Sequence, residues 1–176
     1  RGSGAAVNAM RAEPNVQLTA MADAFPDRVG HASNVLKRQL GKQFAVTPET
    51  TFHGFDAYKQ LIATDVDVVL LCTPPHFRPM QLEAAISAGK HVFYEKPVAV
   101  DGAGVRSVLA SCEKAKRKGL AVVSGLCLRY FNCFEETMKK IHGGEVGEVV
   151  CLQANDYRSG IWNRTREQLS EMLGRE

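Results

Sequence analysis

The sequence predicts an α/β fold built on a doubly wound parallel sheet, and three observations carry that expectation. Helix-like and strand-like segments alternate from residue 1 with short turns between them, and alternation of this kind builds parallel sheets. One strand candidate, residues 66–72 (Val-Asp-Val-Val-Leu-Leu-Cys), is almost continuously apolar, as expected of a strand covered by helices on both faces. Residues able to do chemistry stand directly after strand candidates, where open parallel sheets bind their ligands.

In chain order, Gly2 and Gly4 open into Ala5, Ala6, Val7, Asn8, Ala9 and Met10, which read as a helix. A strand follows over residues 16–22, then a helix over 25–40, with Pro26 suited to the first helical position and Gly41 to the end. Residues 41–54 are less regular, and a short strand is expected around 44–46. After the strand at 66–72, Leu82, Ala85 and Ile86 form one face of a helix running from near His76 to Gly89. A strand at 91–94 precedes a helix whose apolar positions are Val105, Val108, Leu109, Cys112 and Ala115. Asp101 is its N-cap and Gly119 its stop. The last strand of this series covers 120–125.

Beyond Gly125 the pattern changes. Phe131, Phe134, Met138 and Ile141 recur at helical spacing up to Gly143 and Gly144, and residues 146–157 read as a longer strand. The expected organisation is one domain over residues 1–128 and the beginning of a second, α+β domain over 129–176. A glycine turn entering a helix normally follows a buried strand. The natural protein is therefore expected to extend upstream through a strand and a fuller Gly-x-Gly-x-x-Gly turn ending at Gly2. That strand belongs in the middle of the sheet, so a chain without it has a core divided in two.

Composition narrows the function classes. Apolar residues make up 45% and charged residues 23% of the 176, a soluble globular balance, and no apolar run is long enough to cross a bilayer. The formal charge of +3 is small. Its densest basic stretch, Lys114 to Lys118, lies at a helix end, where cations suit the dipole, so no nucleic-acid partner is expected. The five cysteines show neither a Cys-x-x-Cys pair nor zinc spacing, so no metal site is expected. Cys72 and Cys127 lie in apolar runs that suit reduced, buried thiols. A reducing, cytoplasmic setting is the expectation, with export open if a signal precedes Arg1.

Four places could carry chemistry. Gly2 and Gly4 head a helix and could bring backbone amides to a phosphate, or could be an ordinary terminus. Asp23 ends a strand about twenty residues on. There a carboxylate can accept from both ribose hydroxyls of an adenosine and repel a 2′-phosphate, favouring NAD over NADP; the alternative is an Asp at a helix start. Thr73, Pro74, Pro75 and His76 leave the strand at 66–72, as a nucleotide-binding rim or as a structural turn. Glu95, Lys96 and Pro97 leave the next strand. In isolation they read as a surface ion pair. At a sheet's carboxyl edge, Lys96 can hydrogen-bond a substrate oxygen and stabilise its growing negative charge, while Glu95 holds a ribose.

Taken together, Thr73-Pro74-Pro75-His76, the segment from Ala88 to Pro97 that ends in Glu95-Lys96-Pro97, and Arg129-Tyr130-Phe131 resemble the glucose-fructose oxidoreductase, inositol dehydrogenase and MocA family. The likeness spans almost the whole chain. It implies a Rossmann-like first domain that binds NAD or NADP, and a second domain carrying substrate contacts and often oligomer contacts. It implies cofactor contacts for Gly2, Ser3, Asp23, Thr73, Pro74, His76, Glu95, Lys96 and Arg129, with Lys96 also catalytic. The implied activity is hydride transfer between NAD and a sugar, cyclitol or related hydroxyl compound. Alternatives are an NAD-dependent glycoside hydrolase of the same family and a non-catalytic nucleotide-binding module. Two departures stand out: the first two glycines of the fingerprint are absent, and the family's Asp/His segment would lie beyond Glu176.

Overall fold

The computed structural model describes residues 1–157 and 164–173. The chain forms two compact units, Arg1–Tyr130 and Phe131–Glu176.

In the first unit helices and strands alternate. They are α1 (Gly2–Ala12), β1 (Met21–Asp23), α2 (Pro26–Leu40), β2 (Thr51–His53), α3 (Ala57–Ile62), β3 (Val68–Leu71), α4 (Arg78–Ser87), β4 (His91–Tyr94), α5 (Gly102–Arg117) and β5 (Val122–Ser124). All strand pairs are parallel, as the alternation requires. They form two separate sheets, β1-β2 and β3-β4-β5.

Two cores lie on opposite faces, and β3 feeds both. Val69 and Leu71 are buried with Leu82, Ala85 and Ile86 of α4 and Val108 and Ala115 of α5. Leu70, between them, packs against Ala6, Val7 and Met10 of α1 and Leu36 and Leu40 of α2. A period of two thus sends successive β3 side chains into different layers, which is the doubly wound arrangement. Val68 departs from full cover and is 54% exposed.

Local signals work as their chemistry dictates. Pro26 opens α2 with its fixed φ, and Gly41 ends that helix at a φ of 54°. Asp101 caps α5, its carboxylate accepting from the Gly104 amide at 2.6 Å. At the other end of α5, Lys118 donates to the Ile86 and Ser87 carbonyls at 3.0 and 2.9 Å, and Lys114 to the Ser87 hydroxyl at 2.8 Å. Part of the basic stretch therefore ties α5 to the end of α4.

Several sequence expectations are corrected. The strand expected around 44–46 is a single parallel bridge between Leu18 and Phe44, and the regular pairing falls at Thr51–His53 instead. Residues 16–20 run up to β1 without joining it, and α3 was not anticipated. His76 and Phe77 lie in the turn before α4 rather than inside it. Cys127 is exposed in the one-turn helix Cys127–Tyr130, because the apolar run ends in a turn and not in the sheet. Among the described residues no helix is long and apolar enough to cross a membrane.

The second unit contains α6 (Asn132–His142) and α7 (Arg166–Leu173). The strand expected over 146–157 does not form. No neighbouring strand supplies partners for its backbone groups among the described residues, and Val150 and Leu152 are 89% and 88% exposed.

Candidate active site

The parallel register sets the site. Leu71 pairs with Tyr94, and the Glu95 amide donates to the Leu71 carbonyl at 3.0 Å, so the chains leaving β3 and β4 emerge side by side at the carboxyl edge. Thr73 and Pro74 leave one strand, Glu95 and Lys96 the other. The end of β5 joins them, with the Gly125 amide donating to the Tyr94 carbonyl at 2.8 Å. A Cβ at Gly125 would stand 3.1 Å from the Phe93 ring and 3.5 Å from the Glu95 Cα, so glycine permits this close approach.

Helix α1 begins against the same edge: a Cβ at Gly2 would lie 3.6 Å from the Cys72 Cβ, an ordinary contact. No side chain caps α1, so its first-turn N–H groups and positive dipole end are available to an anion. Asp23 closes β1 as an exposed residue. Its Oδ1 accepts from the Phe25 amide at 3.0 Å, and its other oxygen has no partner among the described residues. A cavity of about 450 Å³ runs between β1 and β3; its polar lining includes Arg1, Ser3, Asp23, Arg28 and Thr73, and the rest is largely aliphatic.

The site residues expected from sequence therefore fall into three groups. Gly2, Ser3, Asp23 and Thr73 line that one cavity. Pro74, His76 and Lys96 are exposed at the strand ends, with the His76 ring edge-on to Phe77 at 5.3 Å, and Glu95 is half-buried. Arg129 is exposed in the turn Cys127–Tyr130, which follows the end of β5, and its side chain makes no hydrogen bond or ion pair among the described residues.

Beneath the rim lie polar residues that sequence reasoning missed. Arg78 and Gln81 are each 5% exposed. Gln81 Oε1 accepts from the Thr73 hydroxyl at 2.5 Å, and Arg78 Nη1 donates to the Pro97 carbonyl. The signal was present: Arg78, Gln81, Leu82, Ala85 and Ile86 occupy one helical stripe, so two polar residues share the buried face. Burial pulls the Arg78 guanidinium below its ordinary value, with the Glu95 carboxylate opposing. Burial pushes the Cys72 thiol up, reinforced by Glu95, which makes it a protonated neighbour rather than a nucleophile.

Free helix-start amides beside a carboxylate at a strand end form a donor and acceptor set that suits the phosphates and ribose of a dinucleotide. Comparison with known proteins agrees. An inositol 2-dehydrogenase of Rhizobium meliloti is 30% identical over 80% of this chain and 38% of its own length. Glycosyl hydrolase family 109 protein 1 of Bacteroides fragilis is 26% identical, over 94% of this chain and 36% of its own. Among solved structures, scyllo-inositol dehydrogenase from Lactobacillus casei with bound NAD(H) and scyllo-inositol superposes with a TM-score of 0.60 at 22% identity. That match covers 81% of this chain and 39% of that one, a likeness of fold. The chain thus spans less than two fifths of the length of these relatives. Residues 5–124 match the model of the oxidoreductase family with an NAD-binding Rossmann fold, and the chain belongs to that family of glucose-fructose oxidoreductase, inositol dehydrogenase and MocA proteins.

Proposed function

We propose that this chain is the cofactor-binding part of a dehydrogenase that moves a hydride between NAD and a hydroxyl-bearing carbon of a cyclitol, sugar or related compound. The observation that carries the reading is the side-by-side exit of the chain from β3 and β4 at Thr73 and Lys96, with the start of α1 against the same edge. The names of the inositol dehydrogenase relatives favour a cyclitol.

NAD supplies the hydride acceptor or donor. The protein binds and polarises. First-turn amides at Gly2 and Ser3 meet the phosphates, and the open oxygen of Asp23 accepts from ribose hydroxyls. Thr73, Pro74 and His76 form one wall and Glu95 holds the second ribose, with Arg129 close to the bound cofactor. Lys96 donates from its ammonium to the substrate oxygen. Oxidation also releases the hydroxyl proton, which would pass to a general base of the substrate-side domain. The ammonium charge stabilises the oxygen most while it is alkoxide-like, before the hydride leaves in oxidation or after it arrives in reduction, which makes the interaction catalytic rather than merely binding. In this reading residues 129–176 begin a substrate-side domain that also carries oligomer contacts, and the protein works in the cytoplasm.

Incubating the full-length dehydrogenase, of which this chain is read as the cofactor-binding part, with NAD and a panel of cyclitols and sugars tests this; the chain by itself is expected to show weak or no activity. NADH formed with a polyol but not with simple alcohols is expected. The glycosyl hydrolase relative supports a second reading, cleavage assisted by transient oxidation. Free sugar released from a glycoside without net NADH would favour it. Binding of NAD with neither product would leave a nucleotide-binding module.

A further inference from the structure

Arg78 is unused by the chemistry just described, yet it occupies an expensive position. A buried guanidinium is stabilised only when its charge is compensated and its N–H groups find acceptors. Here Nη1 donates to the Pro97 carbonyl, the Glu95 carboxylate supplies opposing charge, and Nε has no acceptor among the described residues. A methionine or leucine could fill the same space beside Leu82 without stranding a polar atom, so packing alone does not account for an arginine. Glu95 and Pro97 are the two neighbours of Lys96. The same segment is confined from the other side: a Cβ at Gly104 of α5 would stand 2.8 Å from the Ala99 Cβ and 3.2 Å from Pro79 of α4.

We infer that Arg78 is a positioning residue for Lys96, holding the turn that carries the lysine through its hydrogen bond to the Pro97 carbonyl. Lys96 is exposed, and a long flexible ammonium has little of its own to fix its origin. What fixes it is a backbone tied to the rigid first turn of α4. Misplacing a reacting group by about 1 Å is worth on the order of 100-fold in rate, which sets the scale of the expected effect. The inference rests on the proposed role of Lys96.

The test compares Arg78→Met, which removes every donor, with Arg78→Lys, which keeps the charge and can reach one acceptor. Backbone NMR relaxation is the first readout. In Arg78→Met the order parameters of the Glu95, Lys96 and Val98 amides are expected to fall from about 0.85 to below about 0.6, while Val92 and Leu82 stay rigid. Arg78→Lys is expected to restore most of the loss. Hydride transfer is the second readout. In Arg78→Met kcat is expected to fall about 10- to 100-fold with KM and NAD affinity within about twofold, and in Arg78→Lys by less than about 10-fold. If Arg78→Met does not fold, Arg78→Gln, which removes the charge and keeps only a short amide donor, takes its place, and a rigid turn with unaltered kcat in Arg78→Gln overturns the inference. So does a folded Arg78→Met with an unchanged turn and kcat. Turnover that survives Lys96→Met overturns the reading of Lys96 itself, while the relaxation data still show whether Arg78 holds the turn.

Discussion

Lys96 and Cys72 stand at neighbouring strand ends, and their surroundings give them opposite characters. Lys96 is exposed on a turn that a buried arginine holds, whereas Cys72 is half-buried and its thiol is pushed up by burial and by Glu95. Cys112 and the Tyr94 phenol are likewise raised, chiefly by burial. For each the folded value lies above the unfolded one, so the fold keeps its advantage below the ordinary value and loses it as pH rises through the folded one. Stability in urea is therefore expected to fall from about pH 9 upward, and Cys72→Ala is expected to reduce that slope. A flat profile between about pH 8 and pH 10.5 would contradict it. At this scale the strand-end positions of Asp23, Thr73 and Lys96 were legible, because each stands within two residues of the end of a strand. Arg78 and Gln81 were missed because charge and polarity suggest the surface, although their helical spacing from Leu82 and Ile86 places them inside.

The elements are held at the site by short-range devices. Asp101 caps α5, and Gly104 admits Ala99 and Pro79 closer than any side chain would allow. Asp101→Ala is expected to lower stability by about 1 kcal/mol and Gly104→Ala by about 1 to 3 kcal/mol, both read as shifts of the urea midpoint. An unshifted midpoint in Gly104→Ala would show that the segment carrying Lys96 is not confined there. Long elements were legible: α2, α4 and α5 each carry a clear apolar stripe with a stop signal. Strand β2 was not, since three residues, Thr51, Phe52 and His53, are too few to show alternation, and the six residues of α3 too few to show a stripe. The apolar run at 146–157 misled because β propensity counts only where a partner strand exists.

At the scale of the molecule, the alternation of helix and strand was enough to give the parallel fold of the first unit, with helices on both faces of the sheet. The two sheets share no ladder, and the cavity of about 450 Å³ separates β1 from β3. In β3, Asp67 and Leu71 accept from His91 and Glu95, so alternate residues face β4 and the N–H groups of Val68 and Leu70 point to the other edge. In this chain their amides are expected to exchange at least about 100-fold faster than those of Val69 and Leu71, a difference that any strand laddered onto that edge of β3 would erase. The two cores are joined through β3 and through α3, which packs on β1, β2 and α4, and the core under α1 and α2 is the smaller, so α1 and α2 are expected to lose protection before α4 and α5.

In the proposed function the turn after β4 delivers a catalytic ammonium to a substrate beside bound NAD. Single-turnover hydride transfer in Lys96→Met, measured alongside NAD affinity, addresses it most directly. The expected result is a rate lowered on the order of 100- to 1,000-fold with NAD affinity within about threefold. A rate equal to that of the unsubstituted protein would contradict the claim.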